Sequence, residues 1–179
     1  MDEEASLLAQ FQKHGHPRLM ALADVGTVPT SEELSPVVAY LQSVSPAGQP
    51  INKKDVRLEV LGHRWPRLVP LAWTLRREAP RVYTYGIVGQ SLADAGGFAK
   101  RGSALDDVPG SALIIDLLEF MCRSKKVFYR VGVPTLQHLR EVERLEVFMV
   151  PIVDDDEIVV SFLNFTRYFW GSPPRFHFP

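Results

Sequence analysis

Residues 81–88 read Arg-Val-Tyr-Thr-Tyr-Gly-Ile-Val, and this stretch decides the fold. It is rich in β-branched and aromatic residues, and Tyr83, Tyr85 and Ile87 fall on one side of an extended chain. It therefore reads as a strand. Just upstream, residues 68–75 (LVPLAWTL) form a mostly apolar run that reads as a buried partner strand, with Pro70 confined to an edge or bulge. Residues 78–80 supply the turn, so the two segments form a hairpin.

Working outward toward the C-terminus, residues 90–105 carry Gly96, Gly97 and Gly102 and suit short helical turns. Residues 111–122 repeat apolar positions at helical spacing, with Leu113, Leu117 and Phe120 on one face and Ser111 placed for an N-cap. Three strands follow, at 126–133, 144–153 and 157–168, the last two joined by Asp154, Asp155 and Asp156. Toward the N-terminus, residues 54–64 read as a short helix stopped by Pro66, and 45–50 (SPAGQP) as a loop. Thr30 and Glu33 have capping-box spacing and open a helix over 31–44, with Leu34, Val37, Val38 and Leu41 on one face. Leu7, Leu8 and Phe11 form an earlier stripe ended near Gly15 and Pro17, and residues 19–23 a further turn.

This order divides the chain into an N-terminal helical extension (1–50), a sheet domain (51–170) and a tail (171–179). The expected fold is α+β, a five-stranded antiparallel sheet with helices on one face.

Composition narrows the function. The chain has 179 residues, 46% of them apolar and 23% charged, which is normal for a globular domain. A net charge of −1 gives no field to attract nucleic acid or an anionic membrane. Cys122 is the single cysteine, so no internal disulfide can form. The opening MDEEASLLAQ is acidic, unlike a secretion signal, and no apolar run reaches the roughly 18–20 residues of a membrane span. A cytoplasmic protein with no membrane insertion is expected.

From about residue 40 to 170, some three quarters of the chain, the sequence resembles PAS domains, in particular a family of stand-alone alphaproteobacterial PAS proteins. The resemblance rests on residues 68–73 (LVPLAW), 85–90 (YGIVGQ), 101–108 (RGSALDDV), 146–155 (EVFMVPIVDD) and the aromatic pair Tyr168 and Phe169. The sequence departs from that family at Gly86, where the family carries Arg, and at Gln90, where a hydroxyl is usual. The resemblance implies a sensor or docking module with a cavity between sheet and helices. Its partner would be a signalling protein such as a histidine kinase or a cyclic-dinucleotide enzyme, and it could form a homodimer through its N-terminal helix. No cofactor is expected: the helix at 111–122 has no His to ligate haem, and Cys122 lacks the Asn-Cys-Arg-Phe context of a flavin-adduct domain.

The residues themselves offer little catalytic chemistry. His14 and His16 lack further ligands at metal spacing, and His63, His138 and His177 stand alone. Asp106 and Asp107, like the Asp154–Asp156 turn, read as solvated turn carboxylates. No nucleophile elbow or phosphate loop is present. The chain is expected not to be an enzyme.

The aromatic residues of the expected strands, together with Phe120 of the expected helix, are the informative set. Trp73, Tyr83, Tyr85, Phe120, Phe128, Phe148 and Phe162 either pack a core or line a cavity, with Arg130 or Asn164 as polar anchors. Arg130 on an edge strand would face solvent. Three functions compete: a docking or sensory module, a small-ligand carrier, and an enzyme on a curved sheet. Docking through an apolar outer sheet face is preferred, because the strand interiors are large and apolar and the polar anchors few.

Overall fold

A computed structural model describes residues 2–28, 30–96, 100–136 and 142–171. In chain order the elements are α1 (Glu3–Gln12), β1 (Gly15–Met20), α2 (Ser35–Val44), β2 (Ile51–Asn52), α3 (Leu58–Arg64), β3 (Ala72–Ala79), β4 (Val82–Val88), α4 (Gln90–Gly96), α5 (Ala112–Ser124), β5 (Val127–Gly132), β6 (Val142–Val153) and β7 (Val159–Trp170). Two 3-10 turns, Leu22–Thr27 and Pro66–Leu71, complete the set.

The sheet has seven strands, not the five expected from sequence. Its order is β1-β5-β6-β7-β3-β4 with all neighbours antiparallel, and β2 runs parallel beside the far end of β6. Of the two extra strands, β1 comes from the N-terminal segment, which is therefore not purely helical, and β2 stands at the start of the region read as the sheet domain. Leu19 and Met20, read as part of a helical turn, instead pair with Phe128 and Val127.

Strand alternation sorts the side chains into two clusters. Trp73, Tyr85, Phe128, Met149 and Phe162 point to one face and pack with α5, with Leu92 of α4, and with Leu7 and Phe11 of α1. Tyr129, Phe148, Val150, Leu163 and Phe165 point to the other, beneath Val37, Tyr40 and Leu41 of α2, Leu61 of α3, and Val25, Leu34 and Leu68. Helices therefore cover both faces rather than one. The chain reaches this arrangement by wrapping: α1 lies on the α5 face, β1 passes along the sheet edge, and α2 and α3 line the back before β3 begins. Two ion pairs clamp α1 in place, Glu3 to Arg123 and Glu4 to Lys126 (2.6 Å).

Other expectations are corrected locally. The strand expected at 68–75 starts only at Ala72, because Pro66 and Pro70 turn the preceding residues into a 3-10 helix. The capping box does not form: α2 begins at Ser35, with no side-chain cap bond. Ser31, beside Thr30, instead accepts from Leu34 N at 3.3 Å in the turn before the helix, and Glu33 is drawn elsewhere. The Ser31 amide donates to Glu146 Oε1 at 3.0 Å, and Glu33 pairs with Arg167. Ser111 sits at the N-cap of α5 but makes no cap bond either.

Both outer edges of the sheet are blunted. β1 carries Pro17 at its centre, which has no N–H to offer. Along β4, residues 102–105 fold back on the free side: Tyr85 N donates to Ser103 O (2.9 Å), Gly102 N to Tyr85 O (2.7 Å) and Leu105 N to Tyr83 O (2.9 Å).

Candidate functional site

A cavity of about 50 Å³ lies between the α5 face of the sheet and the segments that cover it. Its floor comes from alternate residues of neighbouring strands: Trp73 and Tyr85, Phe128 and Arg130, Leu145, Val147 and Met149, Thr166 and Tyr168. Phe11, Leu105, Ile114, Thr135 and Leu136 close it from above. Among these described residues stand no carboxylate, histidine or cysteine. The walls are mainly apolar with a few convergent polar groups, as in small-molecule sites generally.

Trp73 Nε1 donates to Thr166 Oγ1 at 2.9 Å, which satisfies the indole and fixes the ring. Burial pushes the Tyr85 phenol up to about 12 and raises Tyr168 as well, so both stay neutral over the physiological range.

Arg130 is 2% exposed. This corrects the expectation of a solvent-facing side chain, and the reason is β1: by pairing with β5 it turns an edge strand into an interior one. The guanidinium Nη1 donates to His14 O (2.9 Å) and Val133 O (2.7 Å), and the plane lies 5.7 Å from the centre of the Phe11 ring. Gly15 and Gly132 make that grip possible. They face each other across the ladder, and a Cβ on Gly132 would come within 1.8 Å of His14 O. Nε is buried without an acceptor. Burial lowers the guanidinium to about 10, which still leaves it charged at neutral pH.

The sequence candidates thus separate. Trp73, Tyr85, Phe128 and Arg130 line the cavity. Tyr83, Phe120 and Phe162 belong to the same core without reaching its walls. Asn164 lies on this face, opposite Trp73 and Met149, and is fully buried with Oδ1 unpartnered. Phe148 does not join them. Its neighbour Met149 points to the cavity, so Phe148 points to the back and packs on Tyr129 at 4.8 Å. Sequence reading missed Val147, Met149, Thr166 and Tyr168. Stepping by two from Asn164 reaches Thr166 and then Tyr168, so the strand period carried that signal.

Tyr83 heads a separate polar cluster at the rim of α5. Its hydroxyl donates to Glu119, which also accepts from Arg81 N (2.8 Å) and lies 3.5 Å from Arg77, while Cys122 Sγ is 3.6 Å from the phenol oxygen. Burial, then the bond to Glu119, raises the Tyr83 phenol above its ordinary range. Burial alone would raise Glu119, but its bonds from Tyr83 and Arg81 outweigh that and lower it. Both shifts oppose proton transfer near pH 7, where a general acid–base pair must be poised. The cluster is a clamp between the β3–β4 hairpin and α5. Cys122, whose thiol burial raises, is not activated.

The remaining candidates fall outside this site. Among the described residues no three His, Cys, Asp or Glu side chains gather as a metal would require, and no helix is long and apolar enough to cross a membrane. Asp154 turns the β6–β7 hairpin by accepting from Asp156 N and Ile158 N, both at 3.0 Å. Gly86 has no room for the Arg of the resembling family, because a Cβ there would meet Thr74 Oγ1 at 2.4 Å. His138 and His177 lie outside the described residues.

No family model matches the sequence, and no curated protein does. Among solved structures, an RNA-binding light-oxygen-voltage receptor aligns over 68% of this chain and 36% of its own, with 11% identity and a TM-score of 0.45. The chain thus spans about a third of that receptor's length.

Proposed function

We propose that this protein is a non-catalytic sensory domain of PAS type that binds a small molecule in the cavity beneath α5. The mainly apolar cavity with Arg130, Tyr85 and Thr166 on its floor carries the reading. The topology supports it. With β1 and β2 set aside, the order β5-β6-β7-β3-β4 is a hairpin of two strands beside a meander of three, helices between them in the chain, as the sequence resemblance implies.

Ligand binding is favoured over docking for a specific reason. Docking was to use the outer face of the sheet, and α2, α3 and their flanking turns bury that face. A second protein, such as a kinase or cyclic-dinucleotide enzyme, would read the bound state from elsewhere on the surface. Charge and composition favour a soluble protein partner over nucleic acid.

Methyl NMR of the full chain under a small-fragment panel tests the reading, with xenon as a neutral probe of the cavity. The expected result is shifts at Leu105, Ile114, Val147 and Met149. If every responsive methyl lies instead outside the cavity, the reading is wrong.

A further inference from the structure

We infer that the cavity's guest is a short-chain monocarboxylate whose carboxylate is gripped by Arg130, an assignment that rests on the ligand-binding reading above. Arg130 is a cation 2% exposed, and among the described residues no carboxylate pairs with it. Buried charges are ordinarily paired, because neutral dipoles replace only part of the lost hydration. Here two backbone carbonyls and the Phe11 ring are all that the described residues offer.

Which donors are occupied matters as much as the charge. A guanidinium has five N–H groups in a rigid fork. His14 O and Val133 O take both hydrogens of Nη1. Nε is buried with no acceptor, and both hydrogen bonds that Arg130 makes among the described residues leave from Nη1, not Nη2. The Nε–Nη2 edge carries the parallel N–H pair that a carboxylate accepts in bidentate fashion. The carbonyls thus orient the side chain and leave its carboxylate-binding edge unused.

Size and lining define the rest of the guest. At about 10–15 Å³ per water-sized position, the 50 Å³ cavity has room for about three to five such positions. That suits a carboxylate of about two to four carbons. Its alkyl end would meet Leu105, Ile114 and Met149. Arg130 is the one cation among the described lining residues, so a dicarboxylate would bury its second charge unpaired.

Calorimetric and methyl-NMR titration of the full chain with acetate, propionate and butyrate tests this, with acetamide and propionamide as neutral counterparts and succinate and phosphate as other anions. The monocarboxylates should bind at least about 10-fold more tightly than the amides, with succinate and phosphate weaker. Arg130→Gln should remove that preference. Ile114→Phe fills the cavity without touching the cation and should abolish carboxylate binding, so the test stands even if Arg130→Gln fails to fold. Equal binding of amides and carboxylates in the cavity would overturn the charge assignment and leave the ligand-binding reading intact. Succinate or phosphate binding as tightly as butyrate, or carboxylate binding that survives Ile114→Phe, would also overturn it. If neither the neutral nor the anionic probes perturb the cavity methyls, both readings fall together.

Discussion

Replacing Phe11 with alanine tests whether the N-terminal segment is an appendage or part of the body. Phe11 is completely buried: its ring sits 5.1 Å from that of Phe128, lies against the Arg130 guanidinium and forms part of the cavity roof. Truncating a buried Phe costs about 3–5 kcal/mol through lost transfer energy and the void left behind. In a protein of this size each kcal/mol lowers Tm by about 2–4 °C, so Phe11→Ala should melt about 6–20 °C below wild type. The void adjoins the cavity, so the variant should also bind benzene more tightly than the wild type does, recovering part of the lost Tm on saturation. Differential scanning calorimetry with and without benzene reads both effects. A Tm loss under about 3 °C would refute the argument, because it would mean that α1 rests on a core complete without it.

Four further outcomes follow. All five tyrosines are raised above pH 10, Tyr40 and Tyr85 to about 12, so tyrosinate absorbance at 295 nm should show no step near pH 10. The fold keeps these phenols protonated where the unfolded chain releases them, so stability falls as pH climbs past 10. At pH 11 each of the four buried phenols (Tyr40, Tyr83, Tyr85 and Tyr129) forfeits about 1.4 kcal/mol, together about 5–6, and tyrosinate should appear in one step with loss of circular dichroism. Tyr83→Phe should cost about 1.5–3 kcal/mol in urea unfolding at pH 7. Glu119 is lowered in the fold, so its contribution is present above the unfolded pKa and fades as pH falls through the folded one; the gap between Tyr83→Phe and wild type should narrow below pH 4. Gly132→Ala should push His14 O off Arg130 and melt well below wild type, whereas Gly62→Ala, with nothing within 4 Å of the added Cβ, should not. Glu146→Leu strips Tyr129 Oη and Ser31 N of a shared buried acceptor and should destabilise by about 1–3 kcal/mol, seen as an earlier urea midpoint.

Much of the sheet was legible because β4 to β7 and α5 carry strong periodicities of their own. β1 was not. His14-Gly15-His16-Pro17 is punctuated like a loop, and its strand conformation comes from pairing with β5, which no local pattern encodes. The misread start of β3 has a related cause, since a short apolar run holding Pro66 and Pro70 suits a 3-10 turn as well as a strand. The second helical layer did leave a trace. Residues 147–153 (VFMVPIV) contain no polar position, and a strand apolar on both sides must be covered on both sides. The failed Thr30–Glu33 capping box shows tertiary contact prevailing, with Glu33 engaged by Arg167, and the neighbouring Ser31 amide by Glu146, from sheet strands more than a hundred residues away. At the site, the cavity's polar anchor was named from sequence but aimed wrongly, because its burial depends on the strand that was missed.

The blunted margins of the sheet bear on how this protein behaves at high concentration. An open strand edge is a template on which another chain can polymerise, and a seven-stranded sheet of largely apolar strands would be a dangerous one. Pro17 on one side removes a donor, and the folded-back 102–105 segment on the other occupies the free side of Tyr83 and Tyr85, so both make that template poorer for an incoming backbone. Fibrils seeded by stacking folded molecules edge to edge are thereby disfavoured, and so is capture of a peptide as an added strand.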